Sequence, residues 1–147
     1  LQTIDTELFR LRRDQQAKPK RLEEARDQLT ETEAAMRHAE ERLSRLQIAH
    51  KEKDLDLSTR EATVKKRQGQ LFQVKTNKEY TAVRHEIDQA KADISALEEE
   101  ILQLLDAVDQ AKRALGVERG RVAQQQEGLR TDEQRVQQEL ATSVRAC

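Results

Sequence analysis

The stretch QVKTNKEYTAVRHEI, from Gln73 to Ile87, interrupts a pattern that otherwise runs the length of the chain. On both sides of it, apolar residues recur every seven positions, which is typical of a helix that presents one apolar stripe to a partner helix. The nearest members of the two repeats, Leu71 and Tyr80, are nine positions apart rather than seven. A continuous helix would therefore carry the two stripes on different faces, whereas a turn between them lets the stripes meet. The stretch predicts a helical hairpin.

Both repeats are long, and each has a set of companion positions between its members. The first repeat comprises Leu1, Leu8, Gln15, Leu22, Leu29, Met36, Leu43, His50, Leu57, Val64 and Leu71. The second comprises Tyr80, Ile87, Ile94, Ile101, Val108, Leu115, Val122, Leu129 and Val136. The companion positions are less apolar: Ala25, Thr32, Ala39, Leu46, Lys53, Arg60 and Arg67, and then Val83, Ala90, Leu97, Leu104, Ala111, Glu118, Gln125 and Asp132. We expect the seam to be driest along five apolar residues in its middle: Ile94, Leu97, Ile101, Leu104 and Val108.

The composition agrees with long helices better than with a compact core. Of the 147 residues, 37% are charged and 2% are aromatic, and the net charge is -1. A globular core of this chain length normally contains more apolar and aromatic side chains. Disorder is the competing interpretation of such a composition, and the sustained seven-residue repeat argues against it. A near-neutral chain has no general attraction to nucleic acid or anionic membranes.

Features of localisation and redox chemistry are few. There is no apolar run of membrane-spanning length and no signal peptide, so we expect a cytoplasmic protein without membrane contact. The single cysteine, Cys147, excludes an internal disulfide and a cysteine-based zinc site in this chain. The chain begins at Leu1 rather than methionine and stops without a helix-ending signal, so we expect it to be a piece of a longer protein.

The turn is placed by helix-capping residues. Thr76 followed by Glu79 matches the capping box, in which the hydroxyl and the carboxylate accept hydrogen bonds from amides at a helix start. Asn77 is the alternative N-cap. We place the turn at residues 74–77.

The helices follow from the turn and from Pro19, the single proline. Proline is compatible with the first turn of a helix and disrupts its interior. We therefore predict a short N-terminal helical segment over 1–17, helix one over 19–73 and helix two over 78–145. Because the repeat keeps its phase across Pro19, a kink is as plausible as a break. The predicted fold is all-α: a single domain over 1–147, formed by a long antiparallel two-helix coiled-coil hairpin.

Folding at this turn pairs residues whose numbers sum to roughly 154, counted outward from the turn. Residues 87–109 carry a net charge of -6 and their partners, 45–67, carry +3, so the pairing is electrostatically favourable. The polar companion positions in the last third of the chain leave room for another helix, either residues 1–17 or a second copy. The oligomeric state is thus open between monomer and homodimer.

Candidate functional residues concentrate at the tip. Residues 60–86 carry a net charge of +4, which suits nucleic acid or an acidic protein, or merely balances the acidic second helix. Tyr80 either closes the end of the apolar stripe or acts as an exposed aromatic anchor for a protein partner. His50 interrupts the seam as a polar register marker, with no second histidine or cysteine placed to complete a metal site. No catalytic motif occurs, and a two-helix rod lacks a cleft for acid–base chemistry, so we expect no enzyme activity.

The tip sequence VKTNKEYTAVRHEI resembles the hairpin-tip signature of the bacterial C4-type zinc-ribbon coiled-coil proteins, V-K-x-N-K-E-Y-x-A-L-x-x-E-I. The residues that fall on it include Lys75, Asn77, Lys78, Glu79, Tyr80, Ala82, Glu86 and Ile87. Val83 replaces the usual leucine. The early IDTEL (Ile4 to Leu8), the proline near position 19 and LEEEILQL (Leu97 to Leu104) also match, so the resemblance extends over essentially the whole chain.

The resemblance implies a long antiparallel helical hairpin followed by a zinc ribbon held by two Cys-x-x-Cys pairs. This chain has no ribbon, and Cys147 is too early and too isolated to be one of those ligands. Zinc is therefore expected only in a ribbon downstream of this chain, and no cofactor within it. Relatives are linked to the alternative sigma factor of RNA polymerase and to flagellar or type III export, as adaptors or chaperones.

These observations predict a non-enzymatic adaptor that binds a protein partner through its tip. The predicted partner-binding residues are Lys75, Thr76, Asn77, Lys78, Glu79, Tyr80 and Arg84. The alternatives are a nucleic-acid-binding protein that uses the basic tip and a structural, oligomerising rod.

Overall fold

The computed structural model describes residues 2–146, with side chains described except at 2, 14–16, 18 and 146. Two helices make up nearly all of it: α1, Gln2–Leu71, and α2, Asn77–Ala146. They pack together as a helical hairpin, which confirms the predicted all-α fold. The predictions for Leu1, for the side chain of Gln15 and for Cys147 fall outside the described residues or side chains. Within residues 2–146, no helix has an apolar stretch of the length that a membrane crossing needs.

The first helix continues through Pro19. Residues 2–17, predicted as a separate N-terminal segment, are helical and join the long helix without a non-helical residue between them. No non-helical residue interrupts α1 at Pro19, so the expected break does not occur. Pro19 is exposed, so the amide that it lacks is missing on the water-facing side of the helix, where the loss is tolerated most easily.

The predicted turn lies one or two residues from the observed one. α1 ends at Leu71, two residues before the predicted 73, and α2 begins at Asn77, one residue before the predicted 78. The connection comprises residues 72–76.

The chain divides into two compact units. The tip unit comprises Glu41–Arg113, and the terminal unit comprises Leu1–Glu40 with Ala114–Cys147. Each unit contains a stretch of both helices.

The seam of the tip unit follows the predicted heptads. Its buried side chains are all members of the two predicted stripes or their companions: Val64, Ile87, Leu97, Ile101 and Ala111. Most other predicted seam positions are half-buried, whereas the positions between them are largely exposed. One stripe of each helix is thus removed from water, as a heptad repeat requires.

Ion pairs across the seam fix the register of the tip unit. Lys53 Nζ donates to Glu100 Oε2 at 2.8 Å, and Arg67 pairs with Glu86. The residue numbers in both pairs sum to 153, close to the predicted 154. The hydrogen bond and the charge of Glu100 raise the pKa of Lys53. Lys53 occupies a seam position, so its stem lies along the stripe while its ammonium group reaches this partner in water.

The terminal unit repeats the pattern with different flanking pairs. Leu115 and Val122 are buried at predicted seam positions. Arg26 Nη2 lies 3.1 Å from Glu133 Oε1, and Arg119 Nη2 lies 3.9 Å from Glu40 Oε1. The helices of this unit are therefore also antiparallel.

The prediction that the seam is driest in its middle is only partly correct. Leu97 and Ile101 are buried, but Ile94, Leu104 and Val108 are half-buried. In the observed register Ile94 and Leu104 fall opposite Arg60 and His50, and these polar residues leave the apolar residues incompletely covered. The most buried residues are Ile87, at 3% exposure, and Leu115, at 4%.

Two expectations about the last third of the seam are wrong. Asp132 is exposed, and its neighbour Glu133 is half-buried instead because it pairs with Arg26. Residues 3–13 do not fold back to cover this part of the seam, since they continue α1 and are exposed.

Substitutions at two adjacent residues in the middle of α2 test which face of this helix forms the seam. Ile101→Ala removes a buried side chain and should lower the free energy of unfolding by about 2 kcal/mol or more. Leu102→Ala is the matched control, because Leu102 is 66% exposed and its truncation should change stability by less than about 0.5 kcal/mol. Urea unfolding followed by circular dichroism measures both. Equal losses of stability would place the seam on a different face of α2.

Candidate functional site at the hairpin tip

The first helix ends in tight backbone hydrogen bonds. The amide of Phe72 donates to the Gly69 carbonyl at 3.3 Å, and that of Gln73 donates to the Gln70 carbonyl at 3.0 Å. Such three-residue bonds narrow the last turn and satisfy carbonyls that a helix end leaves without partners. Within residues 2–146 no backbone φ is positive, so the chain reverses without a left-handed residue.

The second helix begins with a capping arrangement on Thr76. The amide of Glu79 donates to Thr76 Oγ1 at 3.2 Å, and the amide of Tyr80 donates to the Thr76 carbonyl at 3.0 Å. The carboxylate of Glu79 accepts a hydrogen bond from the amide of Lys75 at 3.5 Å. Thr76 is therefore the N-cap, and Asn77, the alternative candidate, is the first helical residue. Glu79 reaches the amide one residue before the cap rather than that of the cap itself, which differs from the standard box.

Aromatic side chains on both sides of the turn face water. Phe72 is 91% exposed and Tyr80 is 42% exposed. The Tyr80 hydroxyl accepts a hydrogen bond from Arg84 Nη1 at 3.4 Å. The chain has only one further aromatic residue, Phe9, so two of its three aromatic rings lie within nine residues at the tip. Tyr80 does not close the end of the apolar stripe as a buried residue would, because its ring remains substantially accessible to water.

The predicted tip residues share one surface feature. All seven of them, Lys75, Thr76, Asn77, Lys78, Glu79, Tyr80 and Arg84, are exposed. Thr76 and Glu79 are engaged in the cap, which makes them structural residues as well as candidate contacts.

Ion pairing reduces the free positive charge near the tip. Arg67 pairs with Glu86, Arg84 Nε lies 3.9 Å from Asp88 Oδ1, and Arg60 Nε lies 3.2 Å from Asp56 Oδ1. For Lys75 and Lys78 beside the turn, and for Lys65 and Lys66 two turns of helix before it, no ion pair occurs among the described side chains. The turn itself therefore combines exposed aromatic rings with two unpaired lysines, and two further unpaired lysines lie on α1.

The histidines do not converge on a common site. His50 is half-buried in the seam, and its Nε2 lies 3.5 Å from Asp54 Oδ2 on the same helix. His85 and His38 are exposed. In the part of the chain with described side chains, no three His, Cys, Asp or Glu residues are grouped so that they could hold a metal ion.

Comparison of the chain with known protein families, with curated proteins and with solved structures finds no match.

Phe72 is the candidate contact residue that sequence reasoning missed. It follows Leu71, the last member of the apolar repeat, and lies within the predicted helix one. Its position just off the stripe was the available signal, because a residue next to a seam position points away from the partner helix. At 91% exposure it is the most exposed of the large apolar side chains in the described chain.

The cap can be tested separately from any binding role. Thr76→Ala removes the Oγ1 acceptor of the Glu79 amide and should lower the free energy of unfolding by about 1 kcal/mol. Thr81→Ala is the control, because Thr81 Oγ1 bonds only to the Asn77 carbonyl of its own helix at 2.9 Å. Hydrogen exchange should become faster at the Glu79 amide in Thr76→Ala alone. Unchanged exchange there would contradict the assignment of Thr76 as the N-cap.

Proposed function

We propose that this chain is a non-enzymatic adaptor or chaperone-like protein that binds a protein partner through its hairpin tip. The observation that carries the proposal is the exposure of Phe72 and Tyr80 beside a well-capped turn. Exposing an apolar ring costs free energy in water, and the seam nearby would have offered apolar cover. Aromatic side chains on a pre-formed surface are the residues that most often dominate protein–protein binding energy.

The charges around these rings favour a protein over nucleic acid as the partner. Lys75 and Lys78 beside the turn, and Lys65 and Lys66 on α1, have no ion pair among the described side chains, whereas Arg67 and Arg84 are paired with carboxylates. Nucleic-acid binding depends on neutralising many phosphates at once, and four lysines, only two of them at the turn, supply a small part of that energy. Two lysines beside two aromatic rings suit a protein surface that combines an apolar pocket with acidic residues.

The resemblance to the zinc-ribbon coiled-coil proteins supports the same proposal and suggests a class of partner. By that resemblance the partner belongs to the transcription machinery, such as the alternative sigma factor, or to flagellar or type III export, and the protein acts in the cytoplasm. Zinc enters the proposal only through the downstream ribbon, and no residue of this chain is proposed as its ligand. A coiled-coil hairpin presenting its tip needs no catalytic group for this role.

The proposal is tested by removing the rings while keeping the fold. The double variant Phe72→Ala/Tyr80→Ala should reduce recovery of the partner in a pull-down by at least about tenfold, because buried aromatic anchors commonly contribute 2 kcal/mol or more. Partners are identified by mass spectrometry, and circular dichroism confirms that the variant remains helical. Lys78→Ala should give a smaller loss that disappears at high salt.

Phe9→Ala is the matched control, since Phe9 is an exposed aromatic residue of the terminal unit. It should leave partner recovery unchanged. Equal recovery by the wild type and the double variant would refute the tip as the binding site. Titration with labelled RNA and DNA at low salt should show no binding, and salt-dependent binding lost in Lys75→Ala/Lys78→Ala would favour the nucleic-acid alternative instead.

A further inference from the structure

Glycine is concentrated in one part of α2. Three of the four glycines of the chain, Gly116, Gly120 and Gly128, lie in the terminal unit, whereas residues 77–115 of the same helix contain none. A glycine inside a helix weakens it, because glycine loses more backbone freedom on folding than any other residue and leaves the nearby backbone open to water. We call residues 114–130 the glycine segment.

Packing does not require glycine at these three positions. All three residues are exposed, and a Cβ atom added at any of them would meet no atom within 4 Å outside its own stretch of helix. None of them has a positive φ. A close approach of another element and a left-handed backbone are the usual structural reasons for glycine, and neither applies here. The glycines therefore lower the stability of α2 without improving its packing.

The seam positions of α2 are also less apolar in the glycine segment. From Tyr80 to Ala111 every stripe and companion position is an apolar or aromatic residue, whereas Glu118 and Gln125 occupy companion positions in the glycine segment. Both are half-buried, and Gln125 Oε1 is buried without a hydrogen-bond partner in the described chain. A buried polar oxygen without such a bond destabilises the packed state. A weak helix thus coincides with weak packing.

The helix opposite the glycine segment has the reverse composition. Arg26 pairs with Glu133, and Arg119 pairs with Glu40, so residues 24–40 of α1 lie along this part of α2. Residues 24–40 include no glycine and four alanines: Ala25, Ala34, Ala35 and Ala39. Alanine is the best helix former, and glycine is the worst apart from proline. Within the terminal unit, α2 should therefore lose its helical structure more readily than α1.

We propose that the glycine segment unfolds and refolds locally while the tip unit keeps its structure. Local opening requires the least free energy where few apolar contacts and weak helix formers coincide. Opening exposes Leu115 and Val122, which are buried in the closed hairpin, together with the seam residues of α1 that face them. The fold thus contains a device that transiently exposes an apolar stripe away from the turn. The proposal does not depend on the function of the tip.

Hydrogen exchange of the intact chain, followed at single amides by NMR, tests the local opening. After correction for intrinsic rates, residues 114–130 should exchange at least about tenfold faster than residues 94–109 of the same helix. They should also exchange at least about fivefold faster than residues 24–40, because separation of the whole terminal unit would expose both helices alike. Equal rates in residues 114–130 and either comparison segment would overturn the proposal.

Replacing the glycines tests their role directly. The triple variant Gly116→Ala/Gly120→Ala/Gly128→Ala should slow exchange in the glycine segment at least about tenfold, since each alanine favours the closed helix about twofold to fivefold. Gly69→Ala is the matched control, because an added Cβ also meets open space there, but in the tip unit. It should leave exchange at residues 114–130 unchanged. An unchanged rate in the triple variant contradicts the proposal, and so does equal slowing by Gly69→Ala.

Discussion

The fold depends on one constraint: two apolar stripes, out of phase along the chain, must face each other to leave water. Neither helix could remain stable alone, because a helix of this composition gains most of its stability from burying one face. The seam is only one stripe wide, and none of its described side chains is completely enclosed. Ile87, at 3% exposure, is the most buried of them. Every other feature of the chain is arranged around that stripe, including the ion pairs beside it and the turn that brings its halves together.

The seam also determines what the rest of the surface is free to do. At the tip, the turn is held by the Thr76 cap and by the last hydrogen bonds of α1, so neither Phe72 nor Tyr80 is needed to close it. These rings are available for a partner without cost to the hairpin.

Much of this arrangement could be read from the sequence, because a heptad repeat states directly which residues share a face. All seven apolar residues that are buried among the described side chains lie at predicted positions. The repeat does not predict how completely the opposite helix covers each seam residue, and the unpredicted details are of this kind. The repeat marked Leu8 as a seam residue, and the structure leaves it 50% exposed. The repeat also marked Tyr80 as a seam residue, although the seam layer next to the turn has packing neighbours on one side only. Asp132 and Glu133 differ for a local reason, since Arg26 stabilises the second of these carboxylates by an ion pair.

The most direct test of the account is a distance within the tip unit. Spin labels on cysteines replacing Gln47 and Lys112, in a Cys147→Ser background, flank the seam on the same side when the chain folds back at residues 72–76. Pulsed electron resonance should then give a distance within about 25 Å, since the axes of packed helices lie 8–10 Å apart. An unbroken helix would separate the same residues by roughly 100 Å. A distribution without any population below about 60 Å, well over half of that separation, would contradict the hairpin and everything argued from it.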